Sequence, residues 1–184
     1  MDPLDFPDAA AWASWLEENH EDQAEAWLRI AKRHSGIATI AIGDALDVAL
    51  CYGWIDGQRK SLDEVSFLQR YSRRRRRSSW SKVNVNKVEA LVAAGRMRPS
   101  GLAEVEAAKA DGRWEAAYEP QRTAEVPPDL AAALADDDAA KTAFERLGRT
   151  ERYAVILALL KARTPEARAR TLSREVARLA TQQD

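Results

Sequence analysis

From Trp54 to Arg73 the helical period gives way to a period of two, whereas on both sides of this stretch apolar residues recur every three or four. No other feature restricts the fold as much. Trp54 to Leu62 and Val65 to Arg73 are separated only by Asp63 and Glu64, short enough for a hairpin. In the second of them Val65, Phe67 and Tyr71 alternate with Ser66 and Arg70. This is the one clear β signal. The expected fold class is therefore α+β and predominantly α-helical: helical bundle-like domains with one small antiparallel β-hairpin or sheet.

The flanking segments read as helices. Asp8 is placed to cap the first, with Trp12, Trp15 and Leu16 on one face and Phe6 as a staple. Ala24, Trp27, Leu28 and Ala31 fall at i, i+3, i+4 and i+7, which predicts a second helix ending at Ser35 and Gly36. A third runs from near Thr39 to Gly53 with Ala45, Leu46, Ala49 and Leu50 inward. After the hairpin, Ser81 caps a helix presenting Val85, Val88, Leu91 and Val92 and ending at Gly95. Pro99 or Ser100 starts another, with Leu102 and Val105 inward and Gly112 as its stop. Residues 119–128, EPQRTAEVPP, hold three prolines and read as a linker. Short helices are expected at about Asp129 to Ala135 and Ala139 to Leu147. Longer ones start at Thr150, with Tyr153, Ile156, Leu157 and Leu160, and at Thr164 and Pro165, with Leu172, Val176 and Leu179. The expected division is an N-terminal α+β domain of residues 1–118, the linker, and a C-terminal helical domain of residues 129–184.

Charge is segregated along the chain. Leu68 to Arg98 holds ten Lys or Arg against one acid, Glu89, so this window carries +9 in a chain of net charge -1. Such separation makes a local field even when the total is near zero. A content of 46% hydrophobic and 31% charged residues fits a globular chain. The longest strongly apolar run, Tyr153 to Leu160, is far too short to span a bilayer. The first twenty residues hold five acids and no Lys or Arg, the reverse of a secretory leader, so a cytoplasmic location is expected. One cysteine, Cys51, and two histidines, His20 and His34, leave no internal disulfide and no structural zinc site. Gly36, Gly43 and Gly53 make no dinucleotide or P-loop fingerprint, and no cofactor is expected.

The stretches WLEENH (15–20), ALCYGWIDG (49–57), LQRYSRRRRRSSWSKVN (68–84), GRMRPSGL (95–102) and DGRWEAAY (111–118) carry a resemblance. In order and spacing the chain resembles the YdeI/OmpD-associated proteins, also called the bacteriocin-protection or OmdA-like family. Its tail, KARTPEARART (161–171), is similar to that family's C-terminal signature, with Ala167 where a threonine is usual and Thr171 where a basic residue is usual. The resemblance implies a protection or stress-type protein with an OmdA-like C-terminal domain and an association with outer-membrane porin. It implies no reaction and no cofactor.

The residues themselves define a candidate site, a cleft walled by Trp54, Asp56, Arg73, Arg74, Trp80, Ser81, Lys82 and Asn84. Trp12, Trp15 and Trp27 read as core. Trp54, Trp80 and Trp114 read as a floor on which a guanidinium or flat ligand stacks, and for Trp54 and Trp80 a place in the core reads equally well. Helix N-termini at Ser81 and Ser100 add free amides beside cations, the makings of a pocket for an anionic small molecule or a polyanion. A pI of 6.2 and the absence of a recognised motif argue against a dedicated nucleic-acid module. Two other readings compete. One is an enzyme using the same cleft with Asp56 as general base, or with His20 in a catalytic role. The other is a scaffold for a protein partner, which a large exposed apolar patch would mark.

Overall fold

Asp8 has extended backbone, and its carboxylate accepts the Ala11 N–H at 2.9 Å, which starts helix α1 (Ala9–Asn19). Trp12 and Leu16 on this helix are completely buried. The Trp12 indole N–H donates to the Ala45 carbonyl at 3.1 Å and so fixes α1 against α2 (Ile42–Cys51). The computed structural model describes residues 3–181. They fall into two compact units, Met1–Ala116 and Ala117–Asp184.

The first unit is built on a three-stranded antiparallel sheet of β1 (Glu25–Ala31), β2 (Trp54–Ser61) and β3 (Ser66–Arg73), in the order β1-β3-β2. The hairpin turn is held by Asp63, whose Oδ1 accepts the N–H groups of Val65 and Ser66 at 2.9 and 2.6 Å. β2 pairs with β3 from Trp54↔Arg73 to Ser61↔Phe67, with a bulge between Asp56 and Arg59. On its other side β3 pairs with β1 from Glu25↔Ser72 to Ala31↔Ser66.

That third strand corrects the expected fold class. The first unit is not a helical bundle carrying a small hairpin but an α+β unit with a three-stranded sheet, and residues 25–31 are strand where a helix was expected. The physical reason is burial. Ala26, Leu28 and Ile30 are all at most 2% exposed. In a helix Leu28 and Ile30 would lie about 200° apart. Only one of them would then face the core, a loss of roughly 1.5–3 kcal/mol. Trp27 accordingly lies on the opposite face of the sheet, half-buried, with the Lys60 ammonium 4.3 Å from its ring centroid.

Helix α3 (Lys82–Ala93) starts where Ser81 Oγ accepts the Asn84 N–H at 3.2 Å. It ends at Gly95, whose φ of 64° lets the N–H groups of Gly95 and Arg96 bond back to the Val92 and Leu91 carbonyls. Helix α4 (Pro99–Ala110) has proline at its first position. Of the residues expected to face inward on these helices, Val92 and Leu102 are 47% and 40% exposed, whereas Leu91 and Val105 are buried. The core of this unit is aromatic: Trp12 stacks on Trp15 at 5.3 Å, and both meet Trp54 edge-on at 6.3 and 6.1 Å.

The second unit holds α5 (Pro128–Ala135), α6 (Asp138–Arg146), α7 (Arg149–Leu160) and α8 (Pro165–Thr181). Asp137 caps α6, and the Thr164 hydroxyl accepts the Ala167 N–H at the start of α8. Leu130, Leu134, Phe144, Val155, Ile156, Leu159 and Leu179 form its core, with Leu172 and Val176 packed on the edge. Within this unit the proline-rich segment is irregular but attached: Ala124 packs on the core and the Glu119 carbonyl accepts the Tyr153 hydroxyl at 2.8 Å. Among the described residues no helix is long and apolar enough to cross a membrane.

Candidate functional site

Four elements of the first unit end around one open cleft of about 340 Å³. The C-terminal end of α1 supplies His20 and Glu21, the turn after α2 supplies Tyr52 and Gly53, the end of β3 supplies Arg73 and Arg74, and the first turns of α4 supply Ser100 and Glu104. Gly53 makes this convergence possible. Its φ is 74°, and a Cβ placed there would lie 3.0 Å from the Ser100 carbonyl oxygen and 3.1 Å from the Glu104 side chain. Its own carbonyl accepts the Arg74 N–H at 3.1 Å, tying the α2 turn to the end of the sheet.

The two cleft arginines are in different states. Arg73 is exposed and makes no ion pair with any described residue. Arg74 is 7% exposed, its guanidinium carbon lies 3.5 Å from the Trp80 ring centroid, and its Nη1 donates to the Ser79 carbonyl at 3.3 Å. His20 Nδ1 is 2.8 Å from the Leu16 carbonyl oxygen and must carry the proton, which leaves Nε2 toward Glu21 at 3.8 Å. Its ring packs on Tyr52 at 5.3 Å. The Tyr52 hydroxyl donates to Glu17 at 2.7 Å; burial, and then that carboxylate, push its pKa up. Ser100 Oγ is shielded from solvent and has no hydrogen-bond partner among the described residues.

Of the eight residues expected to wall the site, Arg73 and Arg74 line this cleft, as does His20. Trp54 is fully buried behind it, with its indole N–H donating to the His20 carbonyl at 3.3 Å. Trp80 is 2% exposed and one face of its ring carries Arg74, so neither indole offers an open face for a ligand to stack on. Ser81 uses its hydroxyl to cap α3, and Ser81, Lys82 and Asn84 stand outside the cleft.

Asp56 pairs across the sheet with Tyr71 and is also outside the cleft lining. The residue is exposed, yet its carboxyl has lost part of its hydration, which raises its pKa against the opposing pull of its own backbone N–H, Arg74 and Arg59. As a general base it would have to act on a ligand outside this cleft.

Sequence reasoning missed Tyr52, Gly53, Glu21 and Glu104 as site residues. Gly53 alone carried a signal, as a helix-ending glycine directly before the strand. The α4 N-terminus is also less open than a free helix end, because the Arg98 N–H donates to the Cys51 carbonyl at 3.0 Å and Gly101 is pressed against that same carbonyl. The Cys51 thiol is buried, which pushes its pKa up and makes it a poor nucleophile. No group of three or more His, Cys, Asp or Glu among the described residues is placed to hold a metal ion.

Residues 4–104 match the model of a family described as a domain of unknown function, DUF8412. The chain belongs to this family. Every residue of the cleft lies within the DUF8412 segment, Glu104 at its very end. Residues 123–182 match a second model, OmdA, described as "Bacteriocin-protection, YdeI or OmpD-Associated", so the second unit carries an OmdA domain. Four of the stretches on which the resemblance was read, from WLEENH to GRMRPSGL, fall in the DUF8412 segment, and the KARTPEARART tail falls in the OmdA domain. No curated protein and no solved structure matches the chain.

Proposed function

We propose that this is a binding protein of the protection or stress type whose N-terminal unit takes a small anionic ligand in the cleft, with Arg73 as the group that meets its charge. The observation that carries this reading is the state of Arg73: an exposed guanidinium facing a cleft, with no ion pair among the described residues, beside an arginine already fixed on Trp80. The OmdA domain, described by its bacteriocin-protection family, supports the protective role.

The cleft also narrows the ligand. Glu21 and Glu104 stand on its walls opposite a bare anion's charge, so a ligand that carries donor groups besides its phosphate or carboxylate suits it better. Phosphoethanolamine, inorganic phosphate and ethanolamine are matched probes for that idea. Tryptophan fluorescence titration should give saturable binding of phosphoethanolamine and weaker binding of phosphate. Arg73→Gln removes one charge-assisted contact, about 1.5–3 kcal/mol, and should weaken phosphoethanolamine at least tenfold. Equal binding by Arg73→Gln and the parent would remove the basis for the reading.

A further inference from the structure

Arg75, Arg76 and Arg77 follow Arg74 in the connection between β3 and α3, and all three are exposed. None of them makes an ion pair with any described residue. Adjacent like charges repel, and a solvated run of this kind is ordinarily free to spread. Here the backbone beneath it is held from inside. The Ser78 N–H donates to the Arg75 carbonyl at 2.8 Å and the Arg75 N–H donates to Ser78 Oγ at 3.1 Å, which closes a turn over residues 75–78. The next carbonyls point inward at two buried cations: Ser78 accepts Arg113 Nη1 at 3.2 Å, and Ser79 accepts Arg74 Nη1 at 3.3 Å.

Both cations are themselves fixed. Arg113 is 3% exposed, and its Nε donates to Asp111 Oδ1 and Oδ2 at 2.8 and 2.7 Å. Arg74 lies on Trp80, which packs on Trp114 with ring centroids 4.9 Å apart. The loop therefore keeps its shape while three guanidiniums remain outside it. We propose that the turn over Arg75 to Arg77 is a preformed contact site for a linear chain of phosphates, and that Arg113 is its positioning residue.

A chain of phosphates fits better than a single anion because consecutive Cα atoms about 3.8 Å apart carry long side chains that diverge, and one small anion cannot meet all three. The contact reads charge and not bases. Tyr71 and Trp80, the aromatic residues nearest to the turn in sequence, are buried, so neither offers a base a face to stack on. The phosphate chain is that of a nucleic-acid strand or of inorganic polyphosphate. The two present the same chemistry to the turn.

The test measures fluorescence anisotropy of labelled oligothymidylate and of labelled polyphosphate across a salt series. The variants are the triple substitution Arg75→Gln, Arg76→Gln, Arg77→Gln and, separately, Arg113→Gln, each checked for fold by circular dichroism. The parent should bind at low salt and weaken as salt rises. Three released counterions correspond to a slope lower by about 2 for the triple variant on a single strand, with at least a tenfold loss of affinity. Arg113→Gln leaves the outward charges in place, so it should lose affinity severalfold while keeping the parent slope; a loss of slope instead would refute its positioning role. If Arg113→Gln does not fold, Ser78→Ala replaces it, since that change removes only the turn-closing acceptor and should act in the same direction. Binding of one probe alone identifies the source of the chain. Equal affinity and slope for parent and triple variant, or no salt-dependent binding by the parent, overturns the proposal. The phosphoethanolamine titration reads the cleft separately, so either idea can fail alone.

Discussion

Two helical glycines of the first unit should respond in opposite directions to the same substitution. Gly101 lies at the third position of α4, where a Cβ would stand 2.2 Å from the Cys51 carbonyl oxygen, 2.8 Å from its carbon and 2.9 Å from the Leu50 oxygen. All three atoms are backbone at the end of α2, so no side chain can swing away, and α4 must shift outward. Overpacking of this sort costs about 1–3 kcal/mol. The shift also lengthens the 3.0 Å bond from Arg98 N–H to the Cys51 carbonyl, worth about 1 kcal/mol. Alanine regains about 1 kcal/mol as the better helix former, so Gly101→Ala should destabilise by about 1–3 kcal/mol net. Gly43, in the first turn of α2, has nothing within 4 Å of a Cβ and no positive φ. Gly43→Ala should stabilise by roughly 0.4–1 kcal/mol. Urea unfolding followed by far-UV circular dichroism separates the two. A Gly101→Ala variant as stable as the parent would show that the approach of α4 to α2 is not tight, and with it the wall formed by Gly53 and Ser100.

Two further outcomes concern pH. Arg168 grips Asp129 with bonds of 2.6 and 2.8 Å and donates to the Leu159 carbonyl, which joins the starts of α5 and α8 to the end of α7. Arg168 holds the Asp129 carboxyl below its ordinary pKa, so the pair's contribution is complete above the unfolded value of about 3.9 and is lost as pH falls through the folded one. Both partners are about a third exposed, so Asp129→Asn should cost only about 1 kcal/mol at neutral pH, and the difference from the parent should vanish in acid. A difference independent of pH would assign the cost to packing. For Asp56 the sign reverses. Its folded pKa is raised by desolvation, so stability falls as pH rises through that value. Asp56→Asn should therefore gain up to about 1 kcal/mol at neutral pH, screened by the residue's exposure, and lose that advantage as pH falls; destabilisation at neutral pH would mean that the charged carboxylate is held by a favourable contact.

The elements that were legible in the sequence are those whose signals are local. Asp8, Ser81 and Thr164 name their own helix starts because each side chain bonds an amide three residues on. The hairpin showed itself through period two and the short Asp63-Glu64 connection. Strand β1 did not, because residues 24–31 satisfy two periods at once: Ala24, Trp27, Leu28 and Ala31 make a helical stripe, while Ala26, Leu28 and Ile30 alternate. What decides between them is pairing with β3, some forty residues further on, and no window around Trp27 contains that partner.

The arginine run shows why the site was harder to read than the fold. One residue type repeated five times gives a single composition but three environments: Arg73 on the cleft, Arg74 buried on Trp80, and Arg75 to Arg77 outside. The strand ends at Arg73 and a turn begins at Arg75, so the chain rotates the intervening side chain inward, where its guanidinium lies on the Trp80 ring. That burial has a consequence for binding. A ligand that could have stacked on Trp80 finds the ring face occupied, and Trp54 is closed off in the same way by the aromatic core. Neither indole can then add to affinity at this face, which leaves charge and hydrogen bonding as the main sources. Exposed charges are screened beyond about 8 Å at physiological ionic strength, so salt should weaken any ligand of the cleft or the turn more steeply than it weakens the fold itself.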